Sequence, residues 1–152
     1  MSSAVSADVV WELVRNQNCF LVNRKGDGSP QFSRDPLNLT NIHSRKYAGF
    51  VNDKAIAVNA SGKRGITVVS KNAKNVNRPF KSTSSFTMGD NKSNRKAYKA
   101  IAAQAAKRGY RADLLDAAVQ RASAIRRSQR PVKADPEKKL RGAKARKAAE
   151  SA

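Results

Sequence analysis

KAIAVNASGKRGITVVSK, Lys54 to Lys71, holds two runs rich in strand-forming residues on either side of Ser61-Gly62-Lys63-Arg64-Gly65. In the first run Ala55 and Ala57 alternate with Ile56 and Val58, the period of a strand whose two faces meet different surroundings. In the second, Ile66 to Val69 does not alternate, as in a strand covered on both faces. The break between them contains two glycines. It is too short for a parallel crossover, which needs about a dozen residues or more, so the runs read as an antiparallel pair.

Upstream, YAGFVN (Tyr47 to Asn52) reads as a third short strand, and the three are predicted to form an antiparallel meander. ADVVWELVRN, Ala7 to Asn16, reads as a helix with Val10, Leu13 and Val14 on one face, Trp11 at its edge and Asp8 as cap. CFLVNR (Cys19 to Arg24) is rich in strand formers. KGDGSP (Lys25 to Pro30) is a turn, and QFSRDP pairs back as a second strand. LNLTNIHSRK, Leu37 to Lys46, reads as polar loop, as does Asn72 to Ser85.

From Ser93 the apolar period lengthens. SNRKAYKAIAAQAAKRG reads as a helix with a serine or asparagine cap, Gly109 at its end, and Ala97 or Tyr98, Ile101 and Ala105 on its buried side. A second helix carries the stripe Leu114, Leu115, Ala118, Val119, Ala122 and Ile125, with Asp113 and Asp116 near its start, Arg126 and Arg127 near its end, and Pro131 beyond. The short connection, Gly109 to Ala112, makes the two a helical hairpin. The expected fold is α+β: a small antiparallel sheet with a short N-terminal helix, a C-terminal helical hairpin and a basic tail. Residues 1–130 form the compact unit, with a basic loop at 72–85. Residues 131–152 form an extension without an apolar stripe, expected to be disordered when free and helical or extended when bound.

The formal net charge is +20 over 152 residues, against a magnitude of roughly 2–8 for an ordinary small domain. Repulsion of that size opposes compaction and points to an anionic partner. Residues 1–91 hold 13 basic and 6 acidic side chains and residues 92–152 hold 18 and 5, so the shorter part carries most of the surplus.

Reactive groups do not converge. Cys19 is the only cysteine, which excludes an internal disulfide and a multi-cysteine zinc site; beside Phe20 and Leu21 it reads as a small core residue. His43 is the sole histidine, and no spacing brings Asp35 or Asp53 to it as the orienting carboxylate of a general base. The glycines lack phosphate-loop spacing before a helix. No apolar run approaches the roughly 20 residues of a membrane span, and no basic start with a following apolar stretch marks a secreted chain. The expectation is an intracellular protein that is not an enzyme and has no cofactor, metal, membrane or small-molecule partner.

The cations gather in four places. RASAIRRSQRPVKAD, Arg121 to Asp135, supplies Arg121, Arg126, Arg127 and Arg130 as a ridge for a phosphate backbone, although helix-end compensation accounts for part of the same charge. Lys138, Lys139 and Arg141 continue it into the tail. HSRKY interleaves His43, Arg45 and Lys46 with a ring, which suits stacking on an unpaired base and contact to phosphate. SKNAKNVNRPFKSTSSF, Ser70 to Phe86, combines Lys71, Lys74, Arg78 and Lys81 with amides and hydroxyls; the plain alternative is a polar connector whose Phe80 and Phe86 anchor its ends to the core. No zinc finger, leucine zipper, homeodomain pattern, paired-aromatic sheet or GXXG clamp is present. Dispersed cations suit an irregular folded RNA. The lysine-alanine tail leaves a chromatin-associated or DNA-compacting protein as the second reading.

VWELVRNQNCFLVNR, LNLTNIHSRKYAGFVNDKAIAV and YRADLLDAAVQRASAIRRSQRPV, in that order, resemble the eukaryote-specific large-subunit protein 28 family of the cytosolic ribosome. The resemblance implies a non-enzymatic structural protein bound to large-subunit ribosomal RNA and neighbouring ribosomal proteins, assembled in the nucleolus and working in the cytosol, with a small mixed α/β body. It also adds Arg111, matched in the closing motif, to the RNA-facing set. Where the family usually has a proline beside the tyrosine-arginine pair, this chain has Ala112, and the tail after Pro131 departs from familiar members.

Overall fold

A computed structural model describes residues 5–26, 28–62, 64–136, 139 and 141–151. The Lys54–Lys71 stretch forms the antiparallel pair β3 (Ile56–Ser61) and β4 (Gly65–Lys71), in a register that sets Ile56 opposite Ser70 and Val58 opposite Val68. β4 is the centre of a three-stranded sheet. Its other neighbour is β5 (Thr83–Met88), with Phe86 opposite Val68 and Met88 opposite Ile66. The meander's third strand therefore follows the pair in sequence instead of preceding it. β5 begins inside the stretch read as loop. Its hydroxyl residues are exposed, leaving Phe86 and Met88 as its only large apolar side chains, so alternation was invisible.

YAGFVN is not a strand. Its backbone closes on itself, with the Ala48 N–H donating to Ser44 O (3.0 Å) and the Asn52 N–H to Ala48 O (3.1 Å). Ala48 and Val51 are three residues apart and both bury against Trp11, a helical spacing that the apolar content of the segment conceals. Gly49 is obligatory here: a Cβ would lie 2.3 Å from that of Leu37.

Trp11 belongs to α1 (Ala7–Val14), whose N-cap is Ser6, not Asp8; the Ser6 side chain accepts from the Asp8 N–H. A separate hairpin, β1 (Leu21–Asn23) with β2 (Gln31–Ser33), follows, and Phe32 bridges to Ile42. Cys19, expected in the core, is exposed.

α2 (Asn94–Ala106), capped by Ser93, and α3 (Leu115–Ser128) form the expected hairpin over the three-stranded sheet. Ile56, Val58, Ile66, Val68 and Met88 meet Ala97, Ile101, Ala105, Leu114, Ala118 and Ala122 in the main core. Small alanines let the helices lie close to the strands. Tyr110, between the helices, ties them to the sheet: its hydroxyl donates to Ala55 O (3.3 Å) and to Lys71 O. Beyond the body, α4 (Ala143–Glu150) buries no residue, as its lack of an apolar stripe requires. The architecture is α+β, with helices at both ends and two small antiparallel sheets.

Candidate nucleic-acid interface

The basic side chains divide by what satisfies them. One group folds inward. Lys71 Nζ donates to three carbonyls, Asn52 O (2.8 Å), Gly49 O (3.0 Å) and Phe50 O (3.3 Å), and so closes the 48–52 turn. Partial burial holds its pKa below the ordinary lysine value, while Asp53 and Asp35 act in the opposite sense. Arg45 donates through Nε to Asp8 Oδ1 (2.9 Å) and through Nη1 to Asn52 Oδ1, joining α1 to the same turn. Arg111 forks onto both oxygens of Asp113 (2.8 Å each) and reaches Lys54 O (2.8 Å) and Lys46 O (3.0 Å). That hydrogen bonding, before any other influence, keeps the Asp113 pKa below the ordinary carboxylate value. His43 tilts onto Trp11, ring centroids 5.0 Å apart, as a packing residue. Asp35 does not orient it, because both Asp35 oxygens accept backbone N–H groups, of Leu37 and Phe50.

Arg126, read from sequence as part of an exposed ridge, is 7% exposed. Its Nη2 donates to Gly89 O at 3.0 Å, and its Nη1 stands 3.5 Å from Arg64 O and from an oxygen of Asp90. Gln129 adds a bond from Nε2 to Gly65 O (2.8 Å), so the end of α3 is pinned to the β3–β4 turn. The signal was present: Leu114, Ala118, Ala122 and Arg126 form one row at intervals of four, the same helix face.

The second group faces outward. Side chains of Lys74, Arg78, Lys81, Arg127, Arg130, Lys139 and Arg141 are exposed and make no hydrogen bond or ion pair with the described residues. Lys46 is exposed with its Nζ 5.4 Å from the Tyr47 ring centroid. Lys138 lies outside the described residues. Arg130 lines a cleft of about 320 Å³ with Arg64, Arg126 and Asp90.

Arg121 stands between the groups. It is half-buried, and its Nε is shielded from solvent without a hydrogen-bond partner. It lines a cleft of about 300 Å³ between α3, β3 and the 33–41 loop. The loop is held by its own bonds: Asn38 Oδ1 accepts from the N–H groups of Thr40 (3.0 Å) and Asn41 (2.8 Å), and Asn38 Nδ2 donates to Ile42 O (2.9 Å). Arg34, Asn41 and Asn59 line the same cleft with side chains that make no bond to the described residues. Two guanidinium groups and two free amides around one cleft can donate to an anionic oxygen. Sequence reading found Arg121 but missed Arg34 and Asn41 on the 33–41 loop and Asn59 on β3, which meet Arg121 only through the fold.

The ribosomal L28e protein family model matches residues 9–128, from within α1 to the end of α3. The chain belongs to the ribosomal L28e protein family. It is 42% identical over 131 residues to the large ribosomal subunit protein eL28 of Schizosaccharomyces pombe, covering 86% of this chain and 97% of that protein. It is 38% identical over 84 residues to eL28 of Caenorhabditis elegans, covering 55% of this chain and 64% of that one. With eL28 of Trypanosoma cruzi the identity is 39% over 74 residues, 49% of this chain and 48% of that one. Membership in the L28e family indicates a structural constituent of the large ribosomal subunit. The match ends at Ser128, where α3 ends, and leaves the tail with α4 outside it. No described helix is long and apolar enough to cross a membrane.

Proposed function

We propose that this L28e protein binds and stabilises folded large-subunit ribosomal RNA through dispersed lysine and arginine contacts, alongside neighbouring ribosomal proteins, with assembly in the nucleolus and function in the cytosolic ribosome. Residues 1–130 act as the compact RNA-binding unit and residues 131–152 as a basic extension. The observation that carries this reading is the division of cations: those folded inward have acceptors within the protein, while Lys74, Arg78, Lys81, Arg127, Arg130, Lys139 and Arg141 face outward with none among the described residues. Unpaired outward cations at a net charge of +20 match a ligand with a phosphate at every residue.

The contacts fall to Lys74, Arg78 and Lys81 on one side, to Arg127, Arg130 and the tail on another, and to Arg121 with Arg34 in the cleft between β3 and the 33–41 loop. Lys46 serves as a peripheral contact. His43, Arg45, Lys71, Arg111 and Arg126 act by holding the surface in shape, since their rings or donors are engaged within the fold.

The test is filter binding of the full chain to a folded ribosomal RNA fragment across a salt series. Each phosphate neutralised contributes about 0.7–0.9 to the slope of log affinity against log salt. Replacing Lys74, Arg78, Lys81, Arg127 and Arg130 with glutamine is expected to flatten that slope by several units while leaving thermal unfolding unchanged. Unaltered binding by that variant overturns the proposal, as does the absence of the protein from salt-washed large subunits.

A further inference from the structure

Phe80 is 94% exposed, more than any other phenylalanine among the described residues, which removes it as the core anchor of the alternative polar-connector reading. The loop that carries it is well bonded. Asn72 N–H donates to Ser82 O (2.6 Å) across its base, and Asn72 Oδ1 accepts from the Lys74 N–H (3.2 Å). Arg78 N–H donates to Asn75 O (3.0 Å), Lys81 N–H to Arg78 O (2.9 Å), and Ser82 Oγ to Pro79 O (2.7 Å). Phe80 is the middle residue of the 3₁₀ turn Pro79–Lys81 so formed, and Pro79 fixes the backbone just before it. The ring is therefore presented by an ordered turn.

Its surroundings in the chain are cationic. Arg78 and Lys81 flank it, and no acidic residue occurs between Asp53 and Asp90, a stretch with seven lysines and arginines. A protein pocket for a ring with such neighbours needs an acidic rim. A single-stranded nucleotide offers both features at once, a π-face for the ring and an adjoining phosphate for the cations.

We propose that Phe80 is a base-stacking residue, its ring taking the face of an unpaired RNA base while Arg78 and Lys81 hold the flanking phosphates. This rests on the RNA-binding reading above and adds to it a specificity for unpaired over paired RNA at this loop. An α-helical or duplex surface offers the ring no open π-face, whereas the charges on the loop bind either form of RNA.

The full chain and its F80A, F80L and F80W variants are titrated with a short unstructured oligoadenylate and, separately, with an RNA duplex of equal length. F80A is expected to weaken oligoadenylate binding by roughly tenfold and to leave duplex binding and its salt slope unchanged. F80L, apolar but without a π-face, should match F80A, and F80W should match or exceed the native chain. Native affinity for oligoadenylate in both F80A and F80L overturns the stacking role. Native affinity in F80L with loss in F80A also overturns it, assigning the ring to general apolar contact. If the native chain binds neither RNA, the parent RNA-binding reading has failed and the stacking proposal with it. Thermal unfolding of each variant, expected to match the native chain because the ring touches no core, separates these outcomes from misfolding.

Discussion

Arg126→Ala is expected to destabilise the fold, although Arg127, the next residue, is exposed and should be replaceable with little effect on it. The side chain loses two methylenes from a buried stem, worth about 1.6 kcal/mol at ~0.8 kcal/mol each. It also loses the charged bond to Gly89 O at 3.0 Å; the 3.5 Å approaches to Arg64 O and Asp90 are at the limit of useful geometry. One such bond is worth roughly 1.5 kcal/mol at the lower end of its range, appropriate here because the buried Nε stays unpaired. The sum is about 3 kcal/mol, or a fall in melting temperature of roughly 6–12 °C for a chain of this size. Arg126→Met keeps an apolar stem of similar length and is expected to lose only about half as much. Arg127→Ala, on the exposed side of the same helix, should stay within about 0.5 kcal/mol. Thermal unfolding by circular dichroism, beside RNA binding at fixed salt, reads both effects. Arg126→Ala with a native melting temperature and an RNA defect equal to that of Arg127→Ala would refute the inward assignment.

Tyr110→Phe removes the hydroxyl that reaches Ala55 O and Lys71 O and is expected to cost about 1–2 kcal/mol in urea unfolding. Burial raises the Tyr110 pKa, so the native chain should resist phenol ionisation beyond the ordinary value of 10.0 in an ultraviolet pH titration. For Asp113 the folded pKa lies below the ordinary 3.8, mainly through the Arg111 bonds. Its contribution is thus complete above that value and is lost as pH falls through the folded pKa; Asp113→Asn should be less stable than the native chain near neutrality and converge with it in acid, measured by denaturant midpoints.

The parts of the fold legible in sequence are those where one local period decides the outcome. Alternation in Ala55 to Val58 located β3, and the row through Ile101 and Ala105 located α2. Misreadings fall where two periods compete or where burial is borrowed from elsewhere. Ala48 and Val51 look like strand residues by composition, yet Trp11, far upstream, is what buries them. β5 was hidden because an edge strand can consist mostly of serine and threonine: Thr67 and Thr87 meet through their hydroxyls at 3.0 Å across β4 and β5. Charge told where cations are numerous but not which are free. Arg126 and Arg127 are adjacent in sequence, and only the 100° step of a helix separates a buried guanidinium from an exposed one.

A chain with so many cations keeps its field because the inward ones are satisfied largely by carbonyls. Lys71 uses three, Arg111 two beside its single carboxylate, and Arg126 chiefly one. A carbonyl oxygen satisfies a donor and removes no net charge; a carboxylate does both. Had the 48–52 turn and the end of α3 been fixed by added Asp or Glu side chains, the same geometry would have lowered the surplus that draws a polyanion. Of the carboxylates used on these inward arginines, Asp8 on Arg45 ties segments distant in sequence, whereas Asp113 is two residues from Arg111 and orients a guanidinium whose long-range bonds go to the Lys54 and Lys46 carbonyls. The fold is thus held largely by acceptors that leave the field intact, and the positive surface can remain strong without loosening the body that carries it.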